Sequence, residues 1–307
     1  MSEVKLIDEV VEEVPSNEEL INEYLSSKKL GKGNTRKNYR IDIEQLAEEL
    51  LKINKMLLDA EVKDINNYFN STIDNMSCNS KNRKLASIRG FYHYYIYTDK
   101  YNKKNPTGLL KSFGKNDQKE VRALTPDEQK KLIKCIKNNI KSSNAPLQKY
   151  LAIRDLSFID LIIKTGLRFG EAVTLDFKEF DIEKGSIILA NKNTKGEKTR
   201  KLEVPADTIK YINNYVEIKE NLAKNVKTEY IFISKNGIIL DEPSVNSMIE
   251  KYCKLSGIKD NITVHNLRHT FASNHYHKYG DILRLQRLLG HSDISTTTIY
   301  VDLFDAK

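Results

Sequence analysis

The chain has few cysteines and no long apolar run, and each absence excludes a class of protein. Its three cysteines, Cys78, Cys135 and Cys253, are odd in number and far apart, which excludes a disulfide framework and the C-x-x-C spacing of a zinc ribbon or redox pair. A reducing, cytoplasmic setting is expected. No run of about 18 apolar residues occurs, so no membrane-spanning helix and no membrane partner are expected. The amino terminus, Met1 to Val14, is acidic where a secretion signal is basic and then apolar. His269, His275 and His277 do not form a metal set, because positions two apart do not share a helical face and no cysteine or carboxylate completes the group.

What is present is length, positive charge and helical periodicity. The 307 residues exceed the usual size of one domain, so two are expected. Lysine and arginine outnumber aspartate and glutamate by 50 to 42, a formal charge of +8 that suits a polyanionic partner without identifying one. The first 15 residues set five acids against Lys5 and read as a flexible acidic tail. Ser16 with Glu19 three residues on is a capping-box start, and apolar positions then recur at spacings of three and four as far as about Leu110. Stretches 62–73 and 79–97 belong to this pattern, which predicts a helical domain of four or five helices over residues 16–110. The run Phe91 to Tyr97 reads as a core stripe of Phe91, Tyr94 and Tyr95 rather than as a base-stacking surface.

Asn105-Pro106-Thr107-Gly108 is a helix stop, residues 111–123 read as a basic linker, and Thr125-Pro126 opens a new helix with threonine as cap and proline at the first turn. The second domain, 124–307, is predicted mainly α with one hairpin, Ser186–Leu189 and Lys201–Val204, turning over 192–196.

Four short segments of that domain carry chemistry. Arg168 follows a glycine turn, Thr165-Gly166-Leu167, where a guanidinium can grip a phosphate in two-pronged fashion. Lys195 sits in the hairpin turn. His265 and Arg268 lie three apart on one helical face. His291 follows the helix-ending Gly290, and Tyr300 comes nine residues later, close enough for a fold-back to bring both to one place. Any one of these residues alone is more often a packing or surface residue. Two arginines, a lysine, two histidines and a tyrosine together are the set that phosphoryl transfer to a tyrosyl nucleophile needs: charge neutralisation, a base for the phenol and an acid for the leaving oxygen.

In order and spacing these segments resemble the tyrosine recombinase or phage integrase family, with a layout closest to the Xer type. The likeness is carried by H-x-L-R-H-T-F-A-S from His265 and L-G-H-S-x-x-S-T-T-x-x-Y ending at Tyr300, and it extends to Thr35–Arg40 and Asn82–Tyr92. It implies a C-shaped clamp, with a helical SAM-like core-binding domain and a catalytic domain closing on duplex DNA. It implies Tyr300 as nucleophile; Arg168, Lys195, His265, Arg268 and His291 as the catalytic pocket, with Lys195 the general acid; and Glu171 as a buried carboxylate supporting Arg168. Arg36, Lys37, Arg40, Lys81, Arg83 and Lys84 become candidate phosphate contacts. No metal, ATP or other cofactor is implied. The expected partners are double-stranded DNA with inverted-repeat half-sites and three further copies of the chain in a tetramer, with a second recombinase as an alternative. The expected reaction passes through a 3′-phosphotyrosine link and a Holliday junction, serving chromosome-dimer resolution or mobile-element movement. A type IB topoisomerase and a non-catalytic DNA binder are the rival readings. The short segment after Tyr300, residues 301–307, departs from relatives that extend a further helix, and the front end favours a simple Xer-like machine over an integrase with an arm-binding domain.

Overall fold

The computed structural model describes residues 15–27, 33–114, 121–190, 199–222, 228–291, 293–294 and 296–300. The chain divides into two compact units, residues 1–119 and 120–307.

In the first unit α1 (Asn17–Ser26) starts where expected: Ser16 accepts the backbone N–H of Glu19, whose carboxylate accepts the backbone N–H of Ser16 in return. Next come α2 (Asn34–Leu51), α3 (Val62–Asn67), which runs on into a π turn over residues 68–72, and α4 (Cys78–Tyr97). α4 supplies the centre of the core. Phe91, Tyr92 and Tyr95 are fully buried, whereas Tyr94 is only partly so. A buried phenol needs a partner for its hydroxyl, and the two find backbone carbonyls: Tyr92 donates to Leu57 and Tyr95 to Leu20, both at 2.7 Å. The aromatic run is therefore core, with Tyr92 in the place expected for Tyr94. α4 stops at Tyr97, where Asp99 turns left-handed with φ of 56°, so the Asn105-Pro106 stop lies beyond a helix that has already ended.

The second unit begins with α5 (Pro126–Ser142), capped by Thr125 with Pro126 in its first turn. α6 (Pro146–Thr165) is its central post, packed against α5 and two later helices. The apolar run Leu156 to Ile163 is buried on every side, as a helix surrounded by others requires. After α7 (Phe169–Val173) comes a three-stranded antiparallel sheet, β1 (Phe180–Asp181), β2 (Ser186–Ala190) and β3 (Thr199–Glu203), with Ile187 opposite Leu202. The expected hairpin is β2–β3, and β1 adds an edge. α8 (Ala206–Leu222), α9 (Glu242–Leu255), α10 (Val264–Tyr279) and α11 (Ile282–Leu289) complete the named elements, and residues 296–300 are again helical. Among the described residues no helix is long and apolar enough to cross a membrane.

α6 can end beside α10 only because residue 166 is glycine. Gly166 holds φ of 66°, and a Cβ there would lie 2.3 Å from the ring of Phe271 on α10. Gly166→Ala is expected to destabilise the second unit by about 3 kcal/mol, from the left-handed strain and the overpacking together. The shift of that unit's unfolding transition in denaturant measures it, and a change under 1 kcal/mol would mean that the α6–α10 contact yields easily.

Candidate active site

Two helix C-termini build the site. An α-helix leaves its last carbonyls without intrahelical donors, and the aligned peptide dipoles make that end attractive to cations. Here arginines fill the role. Arg268, projecting from α10, donates one NH2-group nitrogen to the carbonyl of Gly166 at the end of α6 and the other to the carbonyl of Leu289 at the end of α11, at 2.5 and 2.6 Å. Arg168, the N-cap residue of α7, donates to the carbonyl of Gly290. Gly290 closes α11 with φ of 62°, and a Cβ there would lie 2.6 Å from the guanidinium of Arg200 and 3.2 Å from that of Arg168. Both conditions leave glycine as the residue that fits.

Glu171 organises the other side. Its carboxylate accepts the Arg168 backbone N–H at 2.7 Å, the Arg168 side chain at 3.0 Å and the Arg200 side chain at 2.6 Å. Burial pushes this carboxyl up, but the Arg200 and Arg168 contacts outweigh it and hold it below the ordinary glutamate range. The expected support of Arg168 is present, with two corrections: Glu171 is half-buried rather than buried, and it serves a second arginine.

Arg200 was not among the candidates. It comes from β3, where it shares the inward face of the strand with Leu202, and its side chain is only 11% exposed. Its buried Nε has no hydrogen-bond partner among the described residues. The signal in the sequence was strand alternation, which places residues 200 and 202 on one face. Arg168 and Arg200 both bond to Glu171 and Arg268 lies within reach of their charges, so among the described residues three guanidiniums share the site with one carboxylate, an excess of two positive charges (three minus one). Arg268 shows the effect: burial and then the neighbouring Arg168 charge bring it down to about 10.

His291 stands beside Arg268, and its protonation follows from its partners. An arginine can only donate, so the 3.1 Å contact makes His291 Nε2 an acceptor. The ring proton then lies on Nδ1 and is donated to Thr297 Oγ1 at 2.9 Å. Burial, Arg268 and Arg168 push this imidazole down to about 4, in agreement with a neutral ring.

Tyr300 packs among Phe271, Ala272, Leu285 and Leu289 and is 3% exposed. Burial pushes its phenol up to about 12, with the Arg268 charge pulling the other way. Its hydroxyl lies 2.6 Å from Nδ1 of His269, weighed in the sequence only as a metal ligand and not counted among the catalytic candidates. His269 is one helical turn from His265, and the two rings meet edge to face at 4.3 Å. His265 keeps an exposed edge, while the covered part of its ring and then the nearby Arg268 charge hold it below the ordinary histidine range. The structure thus brings together Arg168, Glu171, His265, Arg268, His291 and Tyr300. Lys195 and the hairpin turn lie outside the described residues.

The first unit corrects part of the phosphate-contact list. Lys84 is 2% exposed, with its ammonium on Asp42 at 3.1 Å and on Gln45. Lys81 is buried against Asp74 at 2.9 Å. Lys84 thus neutralises a fully buried carboxylate, whereas Lys81, itself largely covered, pairs with an exposed one. Arg83 also reaches Asp42, and Arg40 pairs with Glu44 at 3.1 Å, each with a partly exposed side chain. Arg36 and Lys37 are exposed.

The phage integrase family model matches residues 122–307, and the phage integrase N-terminal SAM-like domain matches residues 21–98. The tyrosine recombinase XerD of Staphylococcus aureus is 30% identical over 289 residues, which cover 92% of this chain and 93% of that protein. Among solved structures, the fold is similar to that of the XerH site-specific recombinase bound to palindromic difH substrate, with a TM-score of 0.70, 22% identity, and coverage of 94% of this chain and 81% of that one. It is also similar to the Tn1549 transposon integrase in complex with transposon right end DNA, with a TM-score of 0.67, 18% identity, and coverage of 93% and 94%.

Proposed function

Since the chain belongs to the phage integrase family of tyrosine recombinases, we propose that it cleaves and rejoins duplex DNA at specific sites through a covalent bond to Tyr300. Site-specific recombination is the activity of the family. The observation that carries the assignment of residues is the uncompensated pair of positive charges beside the phenol, where a phosphodiester would neutralise them.

As Tyr300 attacks phosphorus, negative charge grows on the non-bridging oxygens, and Arg168 and Arg268 stabilise it from positions that need no rearrangement. Glu171 positions Arg168. His265 and His291 line the pocket, and Lys195 is the general acid that protonates the departing 5′ oxygen. The product is a 3′-phosphotyrosine link, which conserves the energy of the phosphodiester, so a 5′ hydroxyl from a partner duplex can reseal it without ATP. Arg36 and Lys37 are phosphate contacts of the first unit. Two protomers bind inverted half-sites, two such pairs synapse as a tetramer, and exchange of one strand pair at a time produces a Holliday junction.

The test starts with fragmented DNA from the source cell. Protein-linked fragments are trapped under denaturing conditions and sequenced, and the recovered site is placed twice in one plasmid. Exchange of the flanking segments is expected. Relaxation of supercoils without exchange, and without enrichment of any site, would assign a topoisomerase in its place.

A further inference from the structure

We propose that His269 is the catalytic base of the reaction, taking the proton of the Tyr300 phenol through Nδ1 as the tyrosyl oxygen attacks phosphorus. The inference rests on Tyr300 as the nucleophile and gives a role to a residue that was not among the expected catalytic residues.

Geometry singles out His269 among the three histidines of the site. Its Nδ1 is 2.6 Å from the phenol oxygen, hydrogen-bond contact with the reacting atom itself. His291 is committed elsewhere, with Nε2 accepting from Arg268 and Nδ1 donating to Thr297. His265 meets His269 ring to ring. The charged and titratable groups around His269 are His265 and Arg268 on its own helix, His291 beyond α11, and Tyr300. Burial, followed by His265, Arg268 and His291, pushes His269 down to about 4. It is thus neutral at physiological pH, and with its ring proton on Nε2 the phenol donates to Nδ1.

The step balances. The bond from the Tyr300 oxygen to phosphorus forms, the bond from phosphorus to the 5′ oxygen breaks, the phenol proton passes to His269 Nδ1, and the 5′ oxygen takes a proton from the general acid. In resealing, the 5′ hydroxyl gives its proton back to the deprotonated general acid as it attacks phosphorus, the bond from phosphorus to the tyrosyl oxygen breaks, and His269 returns its proton to that oxygen. A buried phenol pushed up to about 12 is almost wholly un-ionised at neutral pH, which is why a base is needed.

The experiment uses the full chain, single-turnover conditions and a duplex carrying the recovered site. His269→Asn retains an oxygen able to accept the phenol hydrogen bond but unable to take the proton. Cleavage is expected to fall on the order of 10²-fold or more, with DNA affinity unchanged. Wild-type cleavage should be flat above pH 6, whereas the variant's should rise about tenfold per pH unit as free phenolate becomes the only nucleophile. His291 titrates in the same acid range as His269, so the alkaline slope, and not the acid limb, identifies the base. The defect should persist when the 5′ bridging oxygen is replaced by sulfur, a leaving group that needs no acid. Free imidazole should restore part of the rate to His269→Ala. An Asn variant within threefold of wild type and equally flat with pH, or a defect that vanishes with the sulfur substrate, overturns the proposal. An adduct that survives Tyr300→Phe removes the nucleophile assignment instead, and this inference with it.

Discussion

Tyr300→Phe is expected to bind DNA as the wild type does and to form no protein–DNA bond. The substitution removes one oxygen and leaves the ring, so the packing among Phe271, Ala272, Leu285 and Leu289 is retained. What is lost is the hydroxyl and its 2.6 Å contact with His269, a hydrogen bond worth about 1 kcal/mol of stability. None of the three guanidiniums bonds to the phenol, so the positive pocket survives the change. Denaturing electrophoresis of protein incubated with labelled site DNA reads the covalent adduct, and a native binding assay reads affinity. An adduct at wild-type yield would assign the nucleophile to another residue. Loss of binding alongside loss of the adduct would show that Tyr300 holds the fold of the site rather than performing its chemistry.

Arg268→Ala is expected to slow cleavage on the order of 10²-fold or more while leaving DNA affinity nearly unchanged, because the charge it faces develops in the transition state. Arg268→Lys should fare little better. The guanidinium forks between the carbonyls of Gly166 and Leu289 and still reaches His291 Nε2, which a single ammonium cannot do. Truncation also leaves those acceptors without donors, so thermal unfolding should be followed alongside. The decisive comparison is the rate constant at saturating enzyme against the dissociation constant. A loss confined to affinity would make Arg268 a docking contact and would shift the catalytic burden to Arg168 and Arg200.

Local signals were legible in the sequence. The capping boxes at Ser16 and Thr125 and the β2–β3 hairpin depend on neighbours within a few residues, and the structure forms each of them. β1 was not legible, since the two residues Phe180 and Asp181 are too short to show alternation and are defined by their pairing with Ile187 and Ser186. The burial of Lys84, expected as a phosphate contact, was not legible for a related reason. A lysine beside Arg83 looks solvated until Asp42, remote in sequence and fully buried, is folded against it. Arg200 and His269 carried readable signals, a strand period of two and a helix spacing of four. Each signal says only that a residue faces inward beside another. Which groups meet there depends on the ends of α6 and α11, brought together from residues 166 and 290.

The anchoring of the arginines by carbonyls has a consequence for the behaviour of the site in acid. Peptide oxygens do not titrate and arginine stays charged in acid, so the grips of Gly166 and Leu289 on Arg268 and of Gly290 on Arg168 are unchanged as pH falls. Glu171 is the one acid in direct contact with these guanidiniums among the described residues. Because its folded pKa is lowered, it contributes stability that is present above the ordinary glutamate value and is lost as pH falls through the folded one. Protonating it frees Arg200 and one arm of Arg168 but leaves the three carbonyl grips in place, and it removes the one negative charge that offsets the guanidiniums. Only a medium acid enough to protonate a carboxyl held below the ordinary glutamate range does this, close to where His269 and His291 also take up protons, and it leaves the cradle standing and hungrier for an anion.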